Sequence, residues 1–210
     1  MGSSPSCHVA GRHTALLGGS FDPPHCGHLA LAWAALEQTA VERVVFIPAG
    51  QSPLKAHRAA ASAEQRLAMV TAAIAGDERL SILDWELRQP GPSYSIDTVI
   101  RFQREHPEDV LYWILGGDQV RQLEHWHRID ELSRRVRFIA YQRDSQQESA
   151  AGDDLQSGNA NASAIHWLTG ELLPYASSSI RDAIATGDDP KGLPSGVADY
   201  IHSHLIYHHP

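Results

Sequence analysis

The sequence predicts one α/β domain built on a doubly wound parallel sheet, with a helical C-terminal part. Short apolar runs of strand length alternate along the chain with stretches whose apolar residues recur at helical spacing, which is the pattern of repeated βαβ units. A length of 210 residues suits one domain of this kind and would crowd two. With 42% apolar and 20% charged residues and no apolar run of membrane-spanning length, the expected class is a soluble globular protein.

Thr14 to Leu17 is the first short apolar run, and Leu29, Ala32, Trp33 and Leu36 then recur as on a helix face. Arg43-Val44-Val45-Phe46-Ile47-Pro48 reads as the second strand, stopped by proline. Ser62-Ala63-Glu64-Gln65 has the form of a capping box, opening a helix through Arg66, Leu67, Val70, Ala73 and Ile74 that Gly76 ends. Leu80-Ser81-Ile82-Leu83 is the third strand. A helix with Ser95 as cap and Thr98 at its third position buries Val99 and Phe102 and stops at Pro107. Val110 to Leu115, the most hydrophobic strand, belongs at the sheet centre. Val136 to Tyr141 and Ile165 to Leu168 complete the strands, and helices follow from Ser177 and from beyond Pro194. We expect a flexible N-terminus over 1–13, one domain over 14–207, and a mobile polar insertion at about 144–163.

A net charge of −8 argues against a general nucleic-acid binder, yet leaves room for a small polyanion in a local cationic pocket. Cys7 and Cys26 are the only cysteines and form no disulfide framework. Residues 1–12 lack the apolar segment of a secretory signal, so the cytoplasm is the expected compartment.

Gly18-Gly19-Ser20-Phe21-Asp22-Pro23-Pro24-His25-Cys26-Gly27-His28 joins the first strand to the first helix. Glycines permit a tight turn and close ligand approach, and a helix start offers unsatisfied N–H groups and partial positive charge, so an anion is its natural guest. His25 and His28, three apart, belong to neighbouring positions of the first helical turn. Lys55, His57 and Arg58 follow the second strand, at the sheet edge where open α/β folds bind ligands; a solvated basic loop explains them equally well. Gly116-Gly117-Asp118 follows the central strand, where Asp118 serves a ribose or caps a helix. Trp126 and His127 read most simply as core and surface residues, Arg143 as a surface arginine, and Ser177-Ser178-Ser179 with Arg181 as a helix start.

The first of these stretches closely resembles the His-x-Gly-His signature of the nucleotidylyltransferase superfamily, and its Gly-Gly-Ser-Phe-Asp-Pro variant is most similar to the bacterial nicotinate-nucleotide adenylyltransferases. That resemblance implies a Rossmann-like sheet and the joining of nicotinate mononucleotide to ATP, giving nicotinate adenine dinucleotide and pyrophosphate. It implies that Gly18, Gly19, Ser20, Phe21, His25, His28, Ser178 and Arg181 bind ATP, with His28 and His25 catalytic. Ala176 departs from the serine usual in the last of these motifs.

Pro92-Ser93-Tyr94-Ser95 and the Gly-x-Asp to Trp spacing resemble the same enzymes. They imply that Lys55, Ser95, Asp118, Trp126, His127 and Arg143 hold the nicotinate nucleotide, the Trp126 ring stacking on the pyridine. Mg²⁺ is expected to ride on the triphosphate, with few or no protein ligands. Three readings compete: a relative acting on the amide mononucleotide or on phosphopantetheine, the latter opposed by Pro92-Ser93-Tyr94-Ser95 and Trp126; a zinc hydrolase using Asp22, His25, His28 and His125 or His127; and a sensor that binds nucleotide without turnover.

Overall fold

Along the apolar runs 15–17, 44–47 and 111–115, successive side chains point to opposite sides, and each side is covered by helices. The computed structural model describes residues 11–51, 59–141, 165–170 and 173–208. Strands β1 (His13–Gly19), β2 (Arg43–Pro48), β3 (Leu80–Ile82), β4 (Val110–Leu115), β5 (Arg137–Tyr141) and β6 (His166–Leu168) form one sheet in the order β3-β2-β1-β4-β5-β6. Every neighbouring pair is parallel. The order reverses between β1 and β4, and the crevice beyond the carboxyl ends of strands at such a switch point is where doubly wound folds bind ligands.

Helices α1 (Cys26–Gln38) and α2 (Ala63–Ile74) cover one face of the sheet, α3 (Ser95–Glu105) and α5 (Ile129–Arg135) the other, with the short α4 (Gly117–Val120) following β4. Ala15, Leu17, Val44, Phe46, Tyr112 and Ile114 pack with Leu29, Ala32 and Val70 on the first face. Leu16, Val45, Ile47, Leu111, Trp113 and Leu115 pack with Ile96, Val99, Phe102 and Leu132 on the second. The period of two along each strand thus divides one sheet between two cores. Helices α6 (Ser177–Thr186) and α7 (Ser195–His204) form a third, smaller core with α2, through Met69, Ile180, Ile184, Val197 and Ile201.

Helix boundaries correct the sequence reading in places. The Ser62 capping box forms as expected, with the Gln65 N–H donating to Ser62 Oγ at 3.2 Å and the Ser62 N–H to Gln65 Oε1 at 2.8 Å. At α3 the cap is Tyr94 rather than Ser95. Asp97 and Thr98 close their N–H groups on the Tyr94 carbonyl, while the Thr98 hydroxyl donates to the buried Glu86 carboxyl at 2.6 Å, a tertiary bond that outweighs local capping. Trp33, expected on the apolar stripe of α1, is 40% exposed and has a side-chain hydrogen bond with Asp77. His202 and His204 lie on the last turn of α7. Lys55, His57, Arg58, Arg143 and the 144–163 stretch lie outside the described residues. No helix among the described residues is long and apolar enough to cross a membrane.

Candidate active site

The turn after β1 is held open by aromatic packing. A Cβ on Gly18 would lie 2.9 Å from the Trp113 ring, and one on Gly19 would lie 3.0 Å from the Phe21 ring. Both glycines are therefore demanded by neighbouring rings, and the left-handed residue of the turn is Phe21, at φ +46°. This corrects the expectation that the glycines themselves make the bend. Phe21 tolerates the conformation because its ring is buried, edge-on to His28 at 4.9 Å and tilted against Phe46 at 5.6 Å. Arg66 of α2 secures the loop from beneath, donating to the carbonyls of Ser20 at 2.8 Å and Ala49 at 2.7 Å. Burial lowers its guanidinium from the ordinary arginine value, with Asp22 and Tyr207 nearby opposing that shift.

His25 caps α1 and His28 is its third residue. Their rings stack at 3.8 Å, and the His25 backbone N–H donates to His28 Nδ1 at 3.1 Å. An accepting Nδ1 fixes the neutral tautomer of His28 with its proton on Nε2, the polarity a phosphate oxygen requires. The stacked partner differs. His25 is 8% exposed, and burial lowers its imidazole to about 4, so it is neutral at pH 7. Its ring also lies 3.0 Å from the place a Gly27 Cβ would take, which explains the glycine between the two histidines.

The C-terminal part folds back onto the same turn. Ser177, the first residue of α6, donates its hydroxyl to the Pro23 carbonyl at 2.9 Å, and Arg181 Nη1 donates to the Asp22 carbonyl at 2.7 Å. Ala176 is the cap of α6, so Ser178 is its second residue, with an exposed side chain.

A second cluster forms beyond β2 and β4. The Gly50 N–H donates to Ser93 Oγ at 3.1 Å and the Ser93 N–H to the Gln51 carbonyl at 2.9 Å, tying the loop before α3 to the end of β2. Gly50 is obligatory there, since a Cβ would meet the Glu86 carbonyl oxygen at 2.2 Å. Burial raises the Glu86 carboxyl above the usual range, opposed by hydroxyl bonds from Thr98 and Ser93. Tyr94 lies against His127 with ring centroids 4.3 Å apart. Trp126, read from sequence alone as core, is partly buried edge-on against Trp113 at 6.1 Å. Asp118 is in α4, directly beyond the C-terminal end of β4.

Gly18, Gly19, Ser20, Phe21, His25, His28 and Arg181 are thus gathered at one end of the crevice, and Ser95, Trp126 and His127 at the other. Trp113 touches both, with Gly18 on one side and Trp126 on the other. Sequence reading missed Arg66, Glu86, Trp113 and Tyr207. An arginine within an amphipathic helix and a tyrosine near the C-terminus carry no pattern to distinguish them from surface residues.

The zinc reading fails on its ligands. The Asp22 carboxylate is filled by the N–H groups of Ala60 (2.7 Å) and Ala61 (2.9 Å) and by the Tyr207 hydroxyl (2.7 Å). Among the described residues no three His, Cys, Asp or Glu side chains are grouped to hold a metal.

The cytidylyltransferase-like family model matches residues 16–183. A protein of Opitutus terrae named "Probable nicotinate-nucleotide adenylyltransferase" is 41% identical over 168 residues, 80% of this chain and 83% of its own length. The chain belongs to the cytidylyltransferase-like family, in its nicotinate-nucleotide adenylyltransferase branch. A Synechococcus relative of the same name is 38% identical over 204 residues, covering 95% of this chain and 96% of its own.

Among solved structures, the fold of this branch member is similar to Plasmodium falciparum nicotinic acid mononucleotide adenylyltransferase complexed with NaAD. The TM-score is 0.74 at 17% identity, over 93% of this chain and 97% of that one. A second structure of that enzyme, complexed with APC, gives 0.72 at 18% identity over the same shares. At such identities the likeness concerns the fold.

Proposed function

We propose that this chain transfers the adenylyl group of ATP to nicotinate mononucleotide, releasing pyrophosphate and forming nicotinate adenine dinucleotide. Family membership supports the reaction class. The observation that carries the chemical reading is the hydrogen bond from the His25 backbone to His28 Nδ1, because it makes Nε2–H the donor of a ring seated at the start of α1.

The nucleophile is a phosphate oxygen of the mononucleotide, largely ionised at neutral pH with a second pKa of about 6, so no general base is needed. It attacks the α-phosphorus of ATP; the bond to the bridging oxygen breaks and pyrophosphate leaves with that electron pair. Catalysis then consists of alignment and of stabilising the charge that develops on the α-phosphate oxygens. We assign that role to His28 Nε2–H. His25, neutral and stacked on it, holds the ring plane and contributes to the neighbouring phosphate as a neutral donor.

The backbone of Gly18, Gly19, Ser20 and Phe21 lines the phosphate path, and Ser178 and Arg181 bind the β- and γ-phosphates. The nicotinate carboxylate goes to the start of α3, where the first-turn N–H groups of Ser95 and Ile96 have no intrahelical acceptor. Trp126 stacks on the cationic pyridine, aided by the main chain at His127, while Asp118, Lys55 and Arg143 complete the nucleotide's contacts. Mg²⁺ enters with ATP as part of the substrate, retaining its waters. We place the reaction in the cytoplasm, where a free thiol such as Cys26 is the ordinary state.

The test is to supply ATP and Mg²⁺ with either the acid or the amide mononucleotide and to follow pyrophosphate and dinucleotide together. Matched release with the acid, and much slower turnover with the amide, is expected. Nucleotide binding without pyrophosphate would replace the transferase by a sensor.

A further inference from the structure

Tyr207 is remote in sequence from every motif of the site, yet its hydroxyl donates to Asp22 Oδ1 at 2.7 Å, across 185 residues of chain. The backbone takes an unusual route to bring it there. Leu205 ends α7 at φ +51°, and Tyr207 itself is left-handed at φ +68°. Non-glycine residues rarely adopt this region, and two occur within three positions. Ile206 between them is buried in the small third core, and the Tyr207 hydroxyl also comes within 3.9 Å of the Met69 sulfur.

Asp22 is 5% exposed and joins four parts of the chain. Its carboxylate accepts from the Ala60 and Ala61 N–H groups and from Tyr207. The fourth part is Arg181. Its guanidinium donates to the Asp22 main-chain carbonyl at 2.7 Å, while the same Nη1 stands 3.8 Å from Oδ2, too long for a hydrogen bond. Arg181 is therefore beside the carboxylate without being captured by it. Three neutral donors serve the carboxylate, Ala61 and Tyr207 on Oδ1 and Ala60 on Oδ2. Burial and the neighbouring Asp22 charge both raise the Tyr207 phenol, so it remains a donor throughout the working pH range.

We propose that Tyr207 is a positioning residue for the triphosphate: by satisfying Asp22, it keeps the Arg181 guanidinium available to the outer phosphates of ATP. Without that hydroxyl, Asp22 Oδ1 keeps only the Ala61 N–H, and the buried carboxylate, one donor poorer, draws on the Arg181 guanidinium already 3.8 Å from its Oδ2. Arg181 then turns onto the carboxylate and away from the ligand. This proposal rests on the transferase reading, in which Arg181 binds phosphate.

Tyr207→Phe removes the hydroxyl and keeps the ring. The affinity for a non-hydrolysable ATP analogue, measured by calorimetry, should fall about tenfold, and KM for ATP should rise similarly. Turnover at saturating ATP should stay within about twofold, and affinity for nicotinate mononucleotide should be unchanged, which also shows that the variant is folded. In an Arg181→Ala background the same substitution should add less than about twofold, because the two residues act through one contact.

Equal weakening of both ligands would overturn the proposal and make Tyr207 a purely structural residue. So would an unchanged ATP affinity, or losses that multiply in the double variant. Failure of the unsubstituted protein to form dinucleotide would instead refute the transferase reading, whereas the calorimetric comparison reads Tyr207 independently of turnover.

Discussion

His28 and His25 share a stack, but burial sets their environments apart. On the proposed mechanism, replacing His28 with alanine deletes a donor to the transition state and leaves the buried core intact. Its kcat should fall by roughly 10²–10³, the scale of one lost oxyanion-type donor, with little change in melting temperature. For His25 the expected signature is in stability. An unfolded histidine titrates near 6.5, whereas burial lowers the folded ring to about 4.

Between those values the unfolded chain holds a proton that the native chain does not, so the His25 contribution to stability is intact above pH 6.5 and is lost as pH falls toward 4. The loss at its lower end is on the order of 3 kcal/mol. Denaturant melts from pH 7 to pH 4 should show this slope, and His25→Gln should reduce it.

At the scale of elements, the two ends of the crevice rest on different joints. The end that we assign to the phosphates is braced by α2 through Arg66 and by α6 through Ser177 and Arg181. The end that we assign to the pyridine depends on the loop before α3 being tied to Gly50 and Gln51, just beyond β2. Gly50→Ala drives a Cβ against the Glu86 carbonyl, which is main chain and has little freedom to yield. KM for nicotinate mononucleotide should rise by about tenfold or more, while KM for ATP changes little, a split that steady-state kinetics with each substrate varied in turn will reveal.

The same joints explain what the sequence could disclose. β2 and β4 run over the residues anticipated, because a buried parallel strand is a continuous apolar run with abrupt ends. The Ser62 box was legible because its partners are three residues apart. The start of α3 was displaced by one residue, since Thr98 answers to Glu86 rather than to its own helix. Bonds such as Arg66 to Ser20, or Tyr207 to Asp22, connect residues with no shared periodicity, and only the folded chain brings them together.

For the whole molecule, the proposed ligand contacts and the anchoring fall on opposite edges of the sheet. At the amino ends of the strands Asp109 accepts from the Thr14 hydroxyl at 2.7 Å and from Arg43 Nη2 at 2.8 Å, joining β1, β2 and the approach to β4. Removing that carboxylate should reduce global stability by about 1–3 kcal/mol, read from denaturant melts, with kcat and both KM values unchanged at a temperature where the variant is folded. Trp113 spans the other edge, its indole pressed against Gly18 and met edge-on by Trp126. Such a pair is a built-in fluorophore between the two halves of the proposed site. Nicotinate mononucleotide should quench the intrinsic emission of the unlabelled protein, and Trp126→Phe should abolish most of that response, so occupancy of each half can be followed by light alone.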